Sequence, residues 1–310
     1  MKTLSQLIQP VDVDTFFAEH WRKKPLYLQG DASRAADWMG LPQFARAVWM
    51  APFADRNLDI TLGGKRQHTP LRAFEEARAR WDEPPSLDEL VAFLPGGETL
   101  IVDGMQRRES WCRELCMRLF QETGRHTVIN AYLSDGGAPS GIGAHFDPQE
   151  VFVLQVAGTK RWPLSETQSD DPVSRESRAA SEARAFEPVA IYDLSPGDVL
   201  FIPRGTWHEP ETLEGPSLHL TVTLPALVPL DVLGWLHEQL VDDPVMREEL
   251  HLEPDPGATE RAVRAQLETA LERIAALCRA SDAATRFSQD TFLRHAARYA
   301  NEKIPDDRPT

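Results

Sequence analysis

The chain has 310 residues, with 33 Lys plus Arg against 48 Asp plus Glu and a formal net charge of −15. That acid excess argues against direct nucleic-acid binding and suits long-range attraction of a basic protein partner, although it also serves solubility. Hydrophobic residues make up 42% of the chain, enough for one large core and a smaller unit, and no apolar run reaches the roughly 18 residues of a membrane span.

The first ten residues lack the long apolar stretch of a secretory signal. Residues 11–14 lead into a helix from Phe16 to Arg22, and Tyr27 and Leu28 form a short strand after Pro25. Apolar and polar residues alternate over 58–62, which predicts a strand. Ser86 caps a helix through Phe93, with Leu87, Leu90, Val91 and Leu94 as its apolar stripe. A strand over 99–102 precedes a helix from Glu109 to Thr123, ended by Gly124. Cys112 and Cys116 sit on that helix as core thiols, and Cys278 sits in a later one. This odd count has neither zinc spacing nor a disulfide framework, which points to a reducing cytoplasm.

Strands run from about His126 to Pro225. Residues 165–186 interrupt them with Ser, Glu, Asp and Arg and little apolar periodicity, so this insert reads as mobile or lightly helical. It is either a substrate-covering loop or a solvated excursion. After Pro229 the pattern is helical: 232–240, then 259–280 with Val263, Leu267, Leu271, Ile274 and Leu277 as its stripe, then 291–300. The chain thus divides into an N-terminal elaboration (1–95), a strand-rich core (96–228) and a C-terminal helical region (229–310).

The chemistry concentrates in two places. His145 and Asp147 are two apart, so on an extended chain they share a face and Phe146 points away. They lead into the strand-like run 151–156, which the Ala157-Gly158 turn signal should end. Far along the chain, Pro196-Gly197-Asp198 turns into a strand over 199–202, Pro203 and Gly205 end that strand, and His208 lies just beyond it. Two imidazoles and one carboxylate on one face of a metal, with other positions open, suit non-haem Fe(II) that also holds a co-substrate and oxygen. The competing reading makes His145 a loop cap and His208 a surface histidine.

These segments resemble a known family. Residues 130–133, 141–147 and 150–162, together with 16–26, resemble the Jumonji-C (JmjC) cupin-type ribosomal oxygenases over about residues 1–240. The resemblance implies an α+β fold built on a double-stranded β-helix, with helices before and after it. It implies Fe(II), 2-oxoglutarate and O₂, and hydroxylation of a protein side chain. By the same resemblance His145, Asp147 and His208 are the catalytic metal ligands, and Lys160 binds the distal carboxylate of 2-oxoglutarate. A buried cation there is chemically apt, since a chelated dianion leaves one carboxylate to be neutralised. Arg161 competes for that role, but alternation sends it to the face opposite Lys160. Asn130 and Tyr132 share parity on one strand, as do His219, Thr221 and Thr223 on another. In the family these strands line the co-substrate pocket, so Asn130, Tyr132 and Thr223 join Lys160 as cofactor-binding candidates. His219 reads as a buried, satisfied barrel histidine.

The substrate so implied is an Arg or His of a basic ribosomal protein, with a homodimer through the C-terminal helices. No wing hairpin is visible in the roughly 80 residues after the barrel, which departs from the family's winged-helix extension. The same chemistry on a peptide natural product or small molecule, a histone-type demethylase, and a non-enzymatic cupin binder are the other readings.

Overall fold

One strand, β6 (Gln149–Thr167), organises the architecture because it takes partners on both edges along both of its halves. The protein is seen in a computed structural model that describes residues 3–51, 57–62, 65–136, 143–167, 172, 187–250, 252 and 254–301. Ten antiparallel strands form one curled sheet in the order β1-β8-β6-β10-β5-β4-β2-β3, with β7 and β9 also paired to β6. The strands are β1 (Leu26–Leu28), β2 (Leu58–Leu62), β3 (Lys65–Arg66), β4 (Thr99–Val102), β5 (Val128–Ser134), β6, β7 (Ala190–Leu194), β8 (Val199–Ile202), β9 (Thr206–His208) and β10 (Glu211–Pro225). The first half of β6 pairs with β8 and β10, and its second half with β7, β9 and the start of β10.

β6 does not end at Ala157-Gly158 as the turn signal suggested. Gly158, at φ 65°, sits where the register with β10 shifts, and a Cβ on it would lie 2.2 Å from the Pro216 carbonyl oxygen. The irregularity bends the strand without breaking it, as a bulge does. It also exchanges the two faces. Before it, Val151 and Val153 point into the interior; after it, Trp162 and Leu164 do, and all four pack with Leu194, Leu200 and Ile202. The insert therefore starts later than expected, since residues 165–167 still belong to β6. Apart from Pro172, residues 168–186 lie outside the described residues.

The opposite face of β6 and β8 is covered by the N-terminal region. Phe16 is fully buried, with its ring 4.9 Å from Phe201 and 5.7 Å from Phe152. The expected helix here is a π-helical turn over Phe16–His20 that directly follows Val13–Thr15. Asp198, from the Gly-Asp motif, holds β1 in place: it accepts hydrogen bonds from the Tyr27 hydroxyl, the Gly30 N–H and the Ser195 N–H. The hairpin strand β3 and the helix His68–Arg78 were not foreseen, because their charged residues show no clear period. The expected capping of Leu87–Val91 by Ser86 and of Ser110–Thr123 by Gly124, at φ 68°, is observed. Cys112 and Cys116 are buried free thiols and Cys278 is an exposed one.

Contacts divide the chain into one unit over Met1–Ala226 and another over Leu227–Asn301. The second contains the helices Pro229–Leu240, Pro256–Arg279 and Ala283–Asn301, and no strand among its described residues. Within it, Trp235 packs edge-on against Phe287 at 5.7 Å, and its indole N–H donates to Asp290. No helix among the described residues is long and apolar enough to cross a membrane.

Phe16→Ala should destabilise the first unit by about 3–5 kcal/mol, the cost of removing a fully buried aromatic ring. A denaturant titration reads this as a lower midpoint, and an unchanged midpoint would remove Phe16 from the core.

Candidate metal centre

His145 and His208 face each other across a single antiparallel bridge. The His145 N–H donates to the His208 carbonyl at 3.0 Å, and the His208 N–H returns a bond of 2.8 Å. This pair brings their rings to 4.3 Å between centroids although the residues lie far apart in sequence. His208 lies past the end of β8, as expected, but on a short strand of its own: it ends β9, which Pro203 and Gly205 separate from β8. Asp147 is fixed by the same pairing, because the Gly205 N–H donates to its carbonyl at 2.8 Å. The ligand atoms of His145, Asp147 and His208 all lie within 4.8 Å of one another.

The tautomers are arranged for coordination. His145 Nδ1 lies 2.9 Å from the Gly143 carbonyl, and His208 Nδ1 lies 3.0 Å from the Thr206 carbonyl. A carbonyl only accepts, so each Nδ1 carries the proton and each Nε2 presents its lone pair. His208 Nε2 is 3.7 Å from an Asp147 oxygen. Burial, followed by the neighbouring His145, holds the His208 imidazole down at about 4, so it is neutral and ready to ligate at neutral pH. Two nitrogens and one oxygen, each able to reach an ion ~2.1 Å away, fit a divalent metal with an open face.

Lys160 lies in the same interior. It is 2% exposed and donates to the Ser134 hydroxyl at 3.1 Å. Burial lowers its ammonium to about 7. Arg161 turns outward into a two-pronged pair with Asp193, both bonds 2.7 Å long. Ser134 was not singled out in the sequence; its shared parity with Asn130 and Tyr132 on one strand was the available signal.

Asn130 and Tyr132 sit opposite Thr221 and His219 in that ladder. The Asn130 side-chain oxygen accepts from the Gly104 N–H, and the Thr223 hydroxyl donates to the Val128 carbonyl at 3.2 Å. The Tyr132 phenol is pushed up by burial and then by the carboxylates of Asp103 and Asp147. His219 departs from expectation. It is buried, but its Nδ1 has no hydrogen-bond partner, because its β10 position faces aromatic rings, not a carbonyl. Glu150 was overlooked as well: a buried carboxyl pushed up to about 7 by burial, it accepts from the Arg204 N–H at 3.4 Å. Together with the bond from Gly205 to Asp147, it ties the two ligand-bearing segments together.

Residues 102–228 match the JmjC domain family. The chain is 30% identical to Ribosomal oxygenase 2 of Mus musculus over 228 residues, covering 70% of this chain and 46% of that protein. It is 29% identical to the bifunctional lysine-specific demethylase and histidyl-hydroxylase NO66 of Drosophila persimilis, covering 72% of this chain and 31% of that one. The chain thus spans less than half the length of these curated relatives. Among solved structures, YcfD, a ribosomal oxygenase from Escherichia coli, aligns with a TM-score of 0.56 at 18% identity, covering 91% of this chain and 71% of that one. The same protein in complex with cobalt and 2-oxoglutarate aligns at 0.55 and 18%, with the same coverages. At such identity the structural likeness speaks to the cupin fold.

His208→Ala should weaken Co(II) binding by at least about a hundredfold, more than the loss of an outer-shell partner costs. The fold should persist, because the bridge uses only backbone atoms. A cobalt absorption titration beside a circular dichroism spectrum measures both, and wild-type cobalt affinity would remove His208 from the ligand set.

Proposed function

On the premise that residues 102–228 of this chain form a JmjC domain, we propose that it is an Fe(II)- and 2-oxoglutarate-dependent oxygenase that hydroxylates a protein side chain, an Arg or His of a ribosomal protein. One observation carries the reading. A three-ligand set shares a barrel interior with a buried lysine whose ammonium donates to the Ser134 hydroxyl. A dicarboxylate chelated at one end needs such a buried cation at its other end, which metal ligands alone do not supply.

The residues divide the work. His145 and His208 would hold the metal through Nε2, each ring oriented by its carbonyl, and Asp147 would supply the oxygen ligand. Lys160, steadied by Ser134, would neutralise the far carboxylate of 2-oxoglutarate. Asn130 and Tyr132 would border the co-substrate and the reacting side chain. Trp162, Leu164 and Leu200 keep water from the interior. When bound, iron with 2-oxoglutarate and O₂ would supply the oxidising power that side chains lack. We assign residues 1–95 to an elaboration, 96–228 to the oxygenase core and 229–310 to an accessory helical region.

A basic substrate is supported by the net charge of −15 and by the names of the relatives. A homodimer is supported by exposed apolar residues on the C-terminal helices, among them Leu230, Leu233, Leu267, Leu271, Phe292 and Leu293. Three free cysteines support a reducing cytoplasm. The relative NO66 is named for both demethylation and histidyl hydroxylation, so product mass is the deciding readout. With Fe(II), 2-oxoglutarate and source ribosomal proteins, succinate should form and one protein should gain the mass of one oxygen atom. Loss of a methyl group would convert the reading to demethylation, and succinate formed only with a small molecule would replace the substrate.

Lys160→Ala should weaken 2-oxoglutarate by about 10- to 100-fold, the worth of a charge-assisted bond, and leave metal affinity near wild type. Wild-type affinity should also depend on pH. Lys160 must be protonated to bind a carboxylate, and its free ammonium titrates at about 7. Affinity is therefore full below pH 7 and declines as pH rises above it, with proton uptake on binding. Calorimetry in buffers of different ionisation enthalpy measures that uptake, and none at pH 8 would remove Lys160 from the pocket.

A further inference from the structure

His219 projects from β10 into the barrel at 1% exposure. It lies opposite Tyr132 on one side and Gln155 on the other. Its ring stacks flat on Tyr132, 4.8 Å between centroids and 6° between planes, and stands edge-on to Trp162 at 5.2 Å and 90°. Two aromatic neighbours thus set the plane of the imidazole. Its Nδ1 is nevertheless buried without a hydrogen-bond partner, and so is the indole Nε1 of Trp162. Buried polar atoms of folded proteins are nearly always paired, because burial without a partner forfeits the bonds water made. Two such atoms on neighbouring rings give the apolar interior a polar patch that a ligand would satisfy.

The position of His219 identifies that ligand. Trp162 stands between His219 and the metal ligands, 5.2 Å from the His219 ring and 5.8 Å from that of His208, and Lys160 lies two residues before Trp162 on the same face of β6. His219 therefore lies beside the span from the cation assigned to the far carboxylate to a metal ligand. A five-carbon dicarboxylate held at those two points passes along this ring. A neutral imidazole carries one N–H, and in the Nδ1–H tautomer it donates to a carboxylate oxygen. We propose that His219 is a co-substrate-binding residue, donating from Nδ1 to a carboxylate of 2-oxoglutarate while its stack on Tyr132 fixes the angle of approach. The inference rests on the oxygenase reading and adds to it a residue with no part in metal binding.

The test is calorimetry on the full chain, with Mn(II) and then 2-oxoglutarate as titrants. His219→Phe keeps a ring for Tyr132 and removes the donor; His219→Gln restores a donor without the ring. The Phe variant should lose at least about tenfold in 2-oxoglutarate affinity while Mn(II) affinity stays at the wild-type value, and Gln should recover part of the loss. A purely structural role would instead lower both affinities together. A folded Phe variant that binds 2-oxoglutarate like wild type overturns the proposal. As a check that needs no variant, the ¹⁵N resonance of His219 Nδ1 in Zn(II)-loaded wild type should move on adding 2-oxoglutarate, and a resonance that stays put also overturns it. Wild type that binds Mn(II) but no 2-oxoglutarate overturns the oxygenase reading itself, a result distinct from either of these.

Discussion

The two-bond bridge between His145 and His208 is the constraint on which the candidate metal centre depends. It uses only backbone atoms, so it leaves both imidazoles free while fixing the distance between their Cα atoms. Everything nearby extends that pairing: the bond from Gly205 to Asp147, the bond from Arg204 to Glu150, and the short strand β9 along the end of β6. A metal site built this way is organised before metal arrives, because the carbonyls of Gly143 and Thr206 have already selected the tautomers. The entropy of gathering three distant ligands is met by sheet formation, not by the ion.

The second determinant is the irregularity at Gly158. Unbroken alternation from Val151 and Val153 would turn Arg161 inward and Lys160 outward. The register with β10 shifts three times between Thr212 and His219, around Gly158, and the irregularity reverses this, so the compact ammonium is buried near Ser134 and the guanidinium pairs with Asp193 at the surface. The difference matters for chemistry. Arg161 paired in solvent stays charged, whereas Lys160, desolvated to about 7, would gain its full charge beside an anion. The glycine is required twice over, by its positive φ and by the Pro216 carbonyl where a Cβ would sit.

The interior is apolar at one level and polar at another. Val151, Val153, Leu164, Leu194, Leu200 and Ile202 pack there with Trp162, and His219, which stands edge-on to Trp162 and stacks on Tyr132, and buried Lys160 add polar atoms. Apolar walls strengthen each hydrogen bond made there and raise the cost of each one left unmade. The Phe16, Phe152 and Phe201 cluster on the outer face keeps β6 and β8 rigid behind the site.

The sequence alone offered the candidate ligand set and most of the strands. His145, Asp147 and His208 are the residue types that open-faced iron sites use, and the β-branched and aromatic runs at 151–156 and 199–202 form strands in any context that buries them. Local capping was equally legible, at Ser86 and Gly124, because it depends on neighbours in the chain. Only the tertiary structure decided what depends on residues far apart in sequence. It set His208 on a strand of its own, exchanged the faces of β6 at Gly158, selected Ser134 as the partner of Lys160, and left His219 without one. The physical reason is that hydrogen-bond register and partner satisfaction are properties of two segments together, and neither segment carries them alone.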